Sequence, residues 1–381
     1  MTTKTLLVNW VYAGALGHAV EAFKQANSFK NGNPDFEVSV MINSEAGIDL
    51  GNCIGSIENV YAVDLHEFEP GIQCQIALNR FPRQWDYLFT DNRAGFPCGF
   101  DDRIDRFHQE FRNWVQADTR TGGGENTEDF PEMKPSALAA HLPIEARDFA
   151  AQFWHGSGYP RIAILPSSGS HQKAPPLEFW TEVIAGLIEK YPNASFALIG
   201  ITGRTLNFAD SDAETFIAQF PDLRNGFDQD LLRQLAIIEE SQLYVSPHSG
   251  MSFAAQCVGT PWLVISGTVV HEYVLNGVPF RCIYPDCDVY PCVYPLGDRM
   301  LAPCKELLSK ARLPICMQHD ALHLKIPDLL SAAEDLIEGK HSYIECVRSH
   351  VRELNARGIE GVPLMDGEAA IDVGYVFPAR S

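Results

Sequence analysis

At 381 residues, 46% hydrophobic and 20% charged, the chain has the make-up of an ordinary globular protein long enough for two domains, which excludes a disordered or fibrous class. Its net charge of −20 repels nucleic acid and anionic lipid headgroups, so neither is an expected partner. No apolar run reaches the roughly 18 to 20 residues of a membrane span, so no membrane insertion and a cytoplasmic location are expected. The 10 cysteines include no Cys-x-x-Cys pair, which disfavours a zinc ribbon or thioredoxin motif and predicts mostly reduced thiols.

In chain order, residues 6–11 read as a buried strand, followed by a turn through Gly14 and Gly17 to His18 and a helix over about 19–28. Residues 36–42 close a βαβ crossover, and 85–90 read as a later strand of the same parallel sheet. Between 118 and 135 the chain turns polar and glycine-rich with no hydrophobic period, which predicts a mobile surface loop, either a plain excursion or a lid near a binding cleft.

A second start follows residues 156–160. Residues 161–165 read as a strand, and a helix beginning near Leu177 carries Trp180, Val183, Ile184, Leu187 and Ile188 on one face. A strand over 195–200, a helix over 231–239, a strand at 243–245, a helix after Ser249 and a strand over 262–265 complete a second α/β unit. A last helix near 343–356 leads into a Gly- and Pro-containing tail expected to pack across both domains. The expected division is 1–155, 156–340 and a C-terminal helix and tail at 341–381.

Two loops of the second unit suit a diphosphate. After the 243–245 strand, Ser249 can cap a short helix that Gly259 and Pro261 end, with the amides of Gly250, Met251 and Ser252 expected to face a ligand and His248 beside them. After the 161–165 strand, Ser167, Ser168, Gly169 and Ser170 let backbone approach oxygen atoms, and Lys173 adds a point charge. Thr202 and Gly203 follow another strand end and can meet a nucleoside.

In order and spacing, these loops resemble the heptosyltransferase family of inverting glycosyltransferases. Residues 161–173 resemble the family's strand, Pro-Gly-Ser-type loop and lysine. Residues 248–261 resemble its Asp-Ser/Thr-Gly-x-Ser-His-Leu-Ala-Ala segment through the Gly-Thr-Pro end. The likeness spans most of 160–335, whereas 1–150 share only the first strand and its Gly-containing turn. It implies an α/β GT-B fold of two Rossmann-like, doubly wound domains facing across a cleft. It also implies an acceptor on the N-terminal domain and a nucleotide-diphosphate sugar on the C-terminal one, as donor substrate rather than cofactor, without a metal. The expected partners are that nucleotide sugar and a small-molecule acceptor, with a homo-oligomer left open.

Three positions depart from the family pattern. Its Gly-Asp pair, which carries the proposed base, reads Gly14-Ala15, its Asp before Ser-Gly is His248, and its later His is Phe253. A heptose donor therefore does not follow from the likeness.

Inverting transfer needs a base at the acceptor. His18, in a Gly14-x-x-Gly17-His18 turn similar to that of natural-product glycosyltransferases whose histidine is the base, is the first candidate, against a packing or capping role. Asp91, after the 85–90 strand, can orient His18 or act itself, against an Asx-turn role. Among functions, sugar transfer to a small soluble acceptor leads. Heptosyl transfer to a lipopolysaccharide core and a non-catalytic binding protein are the alternatives.

Overall fold

Continuous apolar runs, Val/Ile/Leu-rich and buried on both faces, dictate two parallel sheets. The computed structural model describes residues 3–95, 101–123, 129–169, 171–202, 210–220, 222–268, 275–293 and 298–359. It divides into two compact units, Met1–His141 and Leu142–Ser381.

The first unit holds strands β1 (Thr5–Asn9), β2 (Glu37–Asn43), β3 (Asn59–Val63), β4 (Gln84–Thr90) and β5 (Gln116–Gly122) and helices α1 (Leu16–Gly32), α2 (Ile48–Gly51), α3 (Cys74–Leu78) and α4 (Asp102–Trp114). All ladders are parallel, in the order β3-β2-β1-β4-β5. The chain builds outward from β1 through β2 and β3, then returns to the other side of β1. The strand order thus reverses between β1 and β4, where a doubly wound sheet opens a crevice beyond its carboxyl ends. Helix α1 buries Ala19, Val20, Phe23, Ala26 and Phe29, and each phenylalanine contributes about 1.5–3 kcal/mol by leaving water.

The polar stretch expected to be a loop begins with a strand instead. Residues 116–122 form β5, an edge strand whose backbone pairs with β4 while Asp118, Thr119, Arg120 and Thr121 stay partly exposed. An edge strand needs no second apolar face, and threonine suits the pleat, so hydrophobic period was the wrong signal there. The strand stops at Gly122, where φ is +80° and an added Cβ would lie 1.9 Å from the carbonyl oxygen of Thr90.

The second unit holds β6 (Arg161–Ile164), β7 (Ser195–Gly200), β8 (Leu223–Phe227), β9 (Leu243–Pro247), β10 (Trp262–Ile265) and β11 (Phe280–Ile283). Its helices are α5 (Ile144–Phe153), α6 (Leu177–Lys190), α7 (Asp210–Gln219), α8 (Leu231–Glu239), α9 (Gly250–Ala255), α10 (Ala302–Ser309), α11 (His319–His323), α12 (Ile326–Ile337) and α13 (Tyr343–Ala356). The order β11-β10-β9-β6-β7-β8 reverses between β6 and β9. Trp180, Val183, Ile184 and Leu187 of α6 are buried in a core with Phe196, Leu263 and Met317, as the helical spacing requires.

The boundary between units lies ahead of the expected residue 155. Helix α5 belongs to the second unit because Trp154 Nε1 donates to the Ile237 carbonyl at 3.1 Å and Arg147 makes a fork-like pair with Glu239. Helix α13 packs on β11 within that unit, through Tyr284 and Phe280 against His350, and the tail beyond 359 lies outside the described residues. Among the described residues no disulfide joins the cysteines, and no helix is long and apolar enough to cross a membrane.

Candidate functional site

At the carboxyl edge of the first unit, the loop after β1 is held from two sides. His108 of α4 meets the Val11 carbonyl through Nε2 at 2.8 Å, and Asn43 at the end of β2 donates to the Tyr12 carbonyl at 3.0 Å. Burial pushes the His108 imidazole below its usual range, so it serves as a neutral donor. The loop then enters α1, with His18 in its first turn.

His18 does not stand alone there. Its Nδ1 lies 3.4 Å from Oε2 of Glu21, one turn further along α1, and 3.2 Å from Nη1 of Arg93. Glu21 Oε2 also accepts from Trp10 Nε1 at 3.3 Å and from Arg93 Nη2 at 3.0 Å. Arg93, just past β4, grips both oxygens of Asp91 and lies 4.1 Å above the centre of the Tyr12 ring.

Burial alone would raise the Glu21 carboxyl, but His18, Arg93 and Trp10 outweigh it and hold the group below its usual range as a carboxylate. For Arg93, burial works against the charge and Asp91 and Glu21 prevail, so the guanidinium stays charged. The imidazole thus has two neighbours competing for Nδ1. With Nδ1–H toward Glu21, Nε2 keeps a lone pair and can act as a base. With Nδ1 accepting from Arg93, the proton sits on Nε2 and the ring cannot.

Asp91 is only 2% exposed and makes the Asx-type turn weighed for it, its Oδ1 accepting the Arg93 amide at 2.9 Å. Its link to His18 runs through Arg93. Glu21 and Arg93 were missed from sequence, although the His18-x-x-Glu21 spacing puts two side chains on one helix face and was there to be read. Beside the same loop lies a polar cavity of about 130 Å³, lined by Gly14, Glu45, Asp64, His66, Asp101 and Arg103.

At the carboxyl edge of the second unit, the two loops meet where the strand order reverses. Ser168 Oγ, after β6, donates to the His248 carbonyl, after β9, at 2.8 Å. Ser249 caps α9, its side chain accepting from the Ser252 amide at 3.1 Å, and Gly259 at φ +82° ends the following 3-10 turn. The Ser252 hydroxyl is locked among Ser246, Ser249 and the Pro247 carbonyl.

This corrects part of the sequence reading. The Ser252 amide is taken by the cap, and Ser168, His248 and Ser252 are buried, so they form the frame beneath the loops rather than their outer surface. The His248 ring packs edge-on to Trp262 at 6.2 Å. Gly169 is exposed, and Lys173, Ser249, Gly250 and Met251 are half-buried, so these residues reach the outer surface of the loops. An added Cβ on Gly169 would meet nothing within 4 Å, so the protein's own packing does not demand a glycine there. Thr202 is engaged elsewhere, its amide and hydroxyl both donating to Asp228 at 3.0 and 2.6 Å, while Ser170 and Gly203 lie outside the described residues.

Known structures repeat this pair of sheets. A glycosyl transferase family 9 protein from Veillonella parvula aligns with a TM-score of 0.61 at 13% identity, over 89% of this chain and 98% of that one. Escherichia coli ADP-heptose LPS heptosyltransferase II gives 0.58 at 12% identity, over 88% and 99%. The fold is the GT-B-type α/β fold of heptosyltransferase structures. E. coli heptosyltransferase WaaC with ADP gives 0.52 at 11% identity, over 74% and 93%. No protein-family model matches the sequence, and no curated protein matches it. What the heptosyltransferase-like fold shares with these structures is backbone topology, since so few side chains coincide.

Two cysteines of the second unit are held as thiols. Burial, with Cys287 and Cys304 nearby, pushes Cys292 up to about 11. Burial, with Cys287 and Cys292 nearby, pushes Cys316 up to about 12.

Proposed function

We propose that the chain is an inverting glycosyltransferase that holds a nucleoside-diphosphate sugar on its second unit and passes the sugar to a hydroxyl of a small acceptor held by its first. The observation that carries this reading is the 2.8 Å bond from Ser168 to the His248 carbonyl. It ties two phosphate-type loops together at the strand-order reversal, the place where doubly wound sheets take nucleotides. Gly169, Gly250 and Met251 offer backbone, and Lys173 a cation, to a diphosphate whose charge grows as it departs. Among the fold neighbours, E. coli heptosyltransferase WaaC is known in complex with ADP, which supports a nucleoside diphosphate here. The donor is held through these groups without a metal ion.

On the first unit His18 is the base. Its Nε2 takes the acceptor proton while Nδ1–H points to Glu21, which steadies the imidazolium that forms. Arg93 positions Glu21 and is itself held by Asp91. The polar cavity at Gly14 and Glu45 suits a hydroxyl-bearing acceptor, and the charge of −20 favours a soluble one over an anionic lipid. A second reading, heptosyl transfer to a lipopolysaccharide core, draws on the fold shared with ADP-heptose LPS heptosyltransferase II.

A panel of nucleoside-diphosphate sugars and hydroxyl acceptors, with and without EDTA, tests the proposal by release of nucleoside diphosphate. Acceptor-dependent release that survives EDTA is expected. Its absence across ADP-, UDP-, GDP- and dTDP-sugars would refute the activity, and ADP-heptose turnover only with lipopolysaccharide core would favour the second reading.

A further inference from the structure

Away from both loops, α6 and α11 bring together three groups of a different chemistry. His319 and His323 stand one turn apart on one face of α11, and both reach the same carboxylate of α6. His319 Nε2 lies 3.0 Å from Glu182 Oε1, and His323 Nδ1 lies 2.6 Å from Glu182 Oε2. One ligand atom from each residue falls within 4.8 Å of the others. The side chains are 36%, 58% and 34% exposed for His319, His323 and Glu182, so an ion can arrive from solvent without unfolding anything.

We infer that Glu182, His319 and His323 form a binding site for a divalent transition-metal ion of the zinc type, which fastens α11 to α6. Two imidazoles and one carboxylate are a donor set suited to zinc, cobalt or nickel and ill-suited to magnesium or calcium. A tetrahedral ion with bonds of about 2.0–2.1 Å sets its ligand atoms roughly 3.3 Å apart, so the two His–Glu contacts lengthen slightly, any ligand pair as wide as 4.8 Å closes in, and water completes the set. The backbone beneath is anchored, since Leu322 of α11 and Val183 of α6 both sit in the second unit's core. The ion would join residues 137 and 141 positions apart in the chain and so favour the folded state by mass action.

Titration of the full, chelator-stripped chain with Co2+ tests this directly. One equivalent is expected to bind with a visible d–d spectrum and no sulfur-to-cobalt charge-transfer band, and Zn2+ should displace it. His323→Ala and Glu182→Gln, checked for wild-type melting in the absence of metal, should each weaken Co2+ binding by more than about tenfold, because even outer-shell partners are worth ten- to a hundredfold. His341→Ala is the control and should bind as wild type. Equal affinity in wild type and His323→Ala, or a spectrum dominated by thiolate charge transfer, would overturn the assignment, the latter by moving the ion to the cysteines.

Discussion

Nδ1 of His18 faces Glu21 Oε2 at 3.4 Å and Arg93 Nη1 at 3.2 Å, so one ring nitrogen is shared between an acceptor and a donor. In the proposed reaction His18 can take the acceptor proton only when Glu21 wins. His18→Ala should therefore lower kcat by about 10²–10⁴ with donor affinity unchanged. Glu21→Gln should lower kcat by at least about tenfold, as orienting carboxylates do. Steady-state kinetics across pH check both, and a Glu21→Gln enzyme with wild-type kcat would remove the orienting role.

Arg93 bridges two carboxylates, one of them, Asp91, almost wholly buried. Arg93→Ala leaves that charge without its fork. The cost is expected near 2–3 kcal/mol, short of the 3–5 of a fully buried pair because Arg93 is itself partly exposed. Arg93→Lys should recover only a fraction, since an ammonium cannot grip both Asp91 oxygens as the guanidinium does. Urea melts measure both, and a loss below about 0.5 kcal/mol for Arg93→Ala, the scale of an ordinary surface substitution, would mean the network contributes nothing to stability.

His108 gives the fold an acid-side weakness with a definite sign. Burial depresses its pKa in the folded state, so the unfolded chain takes up the proton first as pH falls below the ordinary value of 6.5. The stability contribution is whole above that value and declines as pH drops through it toward the lower folded pKa. His108→Gln, which keeps a donor for the Val11 carbonyl, should shrink the loss of stability between about pH 7.5 and 5.5. An unchanged slope in that variant would assign the acid sensitivity to other groups.

The second unit was more legible in the sequence than the first, for a physical reason. Helix α6, strands β7 and β10 and the Ser249 cap are local matters of apolar spacing and one side-chain bond, and all appear within a residue or two of expectation. Strand β5 was unreadable because an edge strand is held by backbone pairing that leaves no apolar period. His18 and Asp91 were visible as residues following strands, but their connection through Arg93 is made by tertiary packing of β1 against β4. At the two loops proposed to seat the donor, small residues predict backbone approaching oxygen atoms, with Ser249 as a cap. The folded chain spends Ser168, Ser249 and Ser252 on its own frame and leaves Gly169, Gly250, Met251 and Lys173 facing outward.

The proposed sugar transfer requires a donor seated on the second unit, and Gly169 tests that proposed seat most directly. Isothermal titration of nucleoside diphosphates into wild type and Gly169→Val separates packing from binding, since a Cβ added at Gly169 meets nothing within 4 Å while the side chain occupies the ground claimed for phosphate. One nucleoside diphosphate is expected to bind wild type, and Gly169→Val should melt within about 0.5 kcal/mol of wild type yet bind it at least about tenfold more weakly. Equal affinity in the two proteins, or no binding by any nucleoside diphosphate, would contradict a donor site built on these loops.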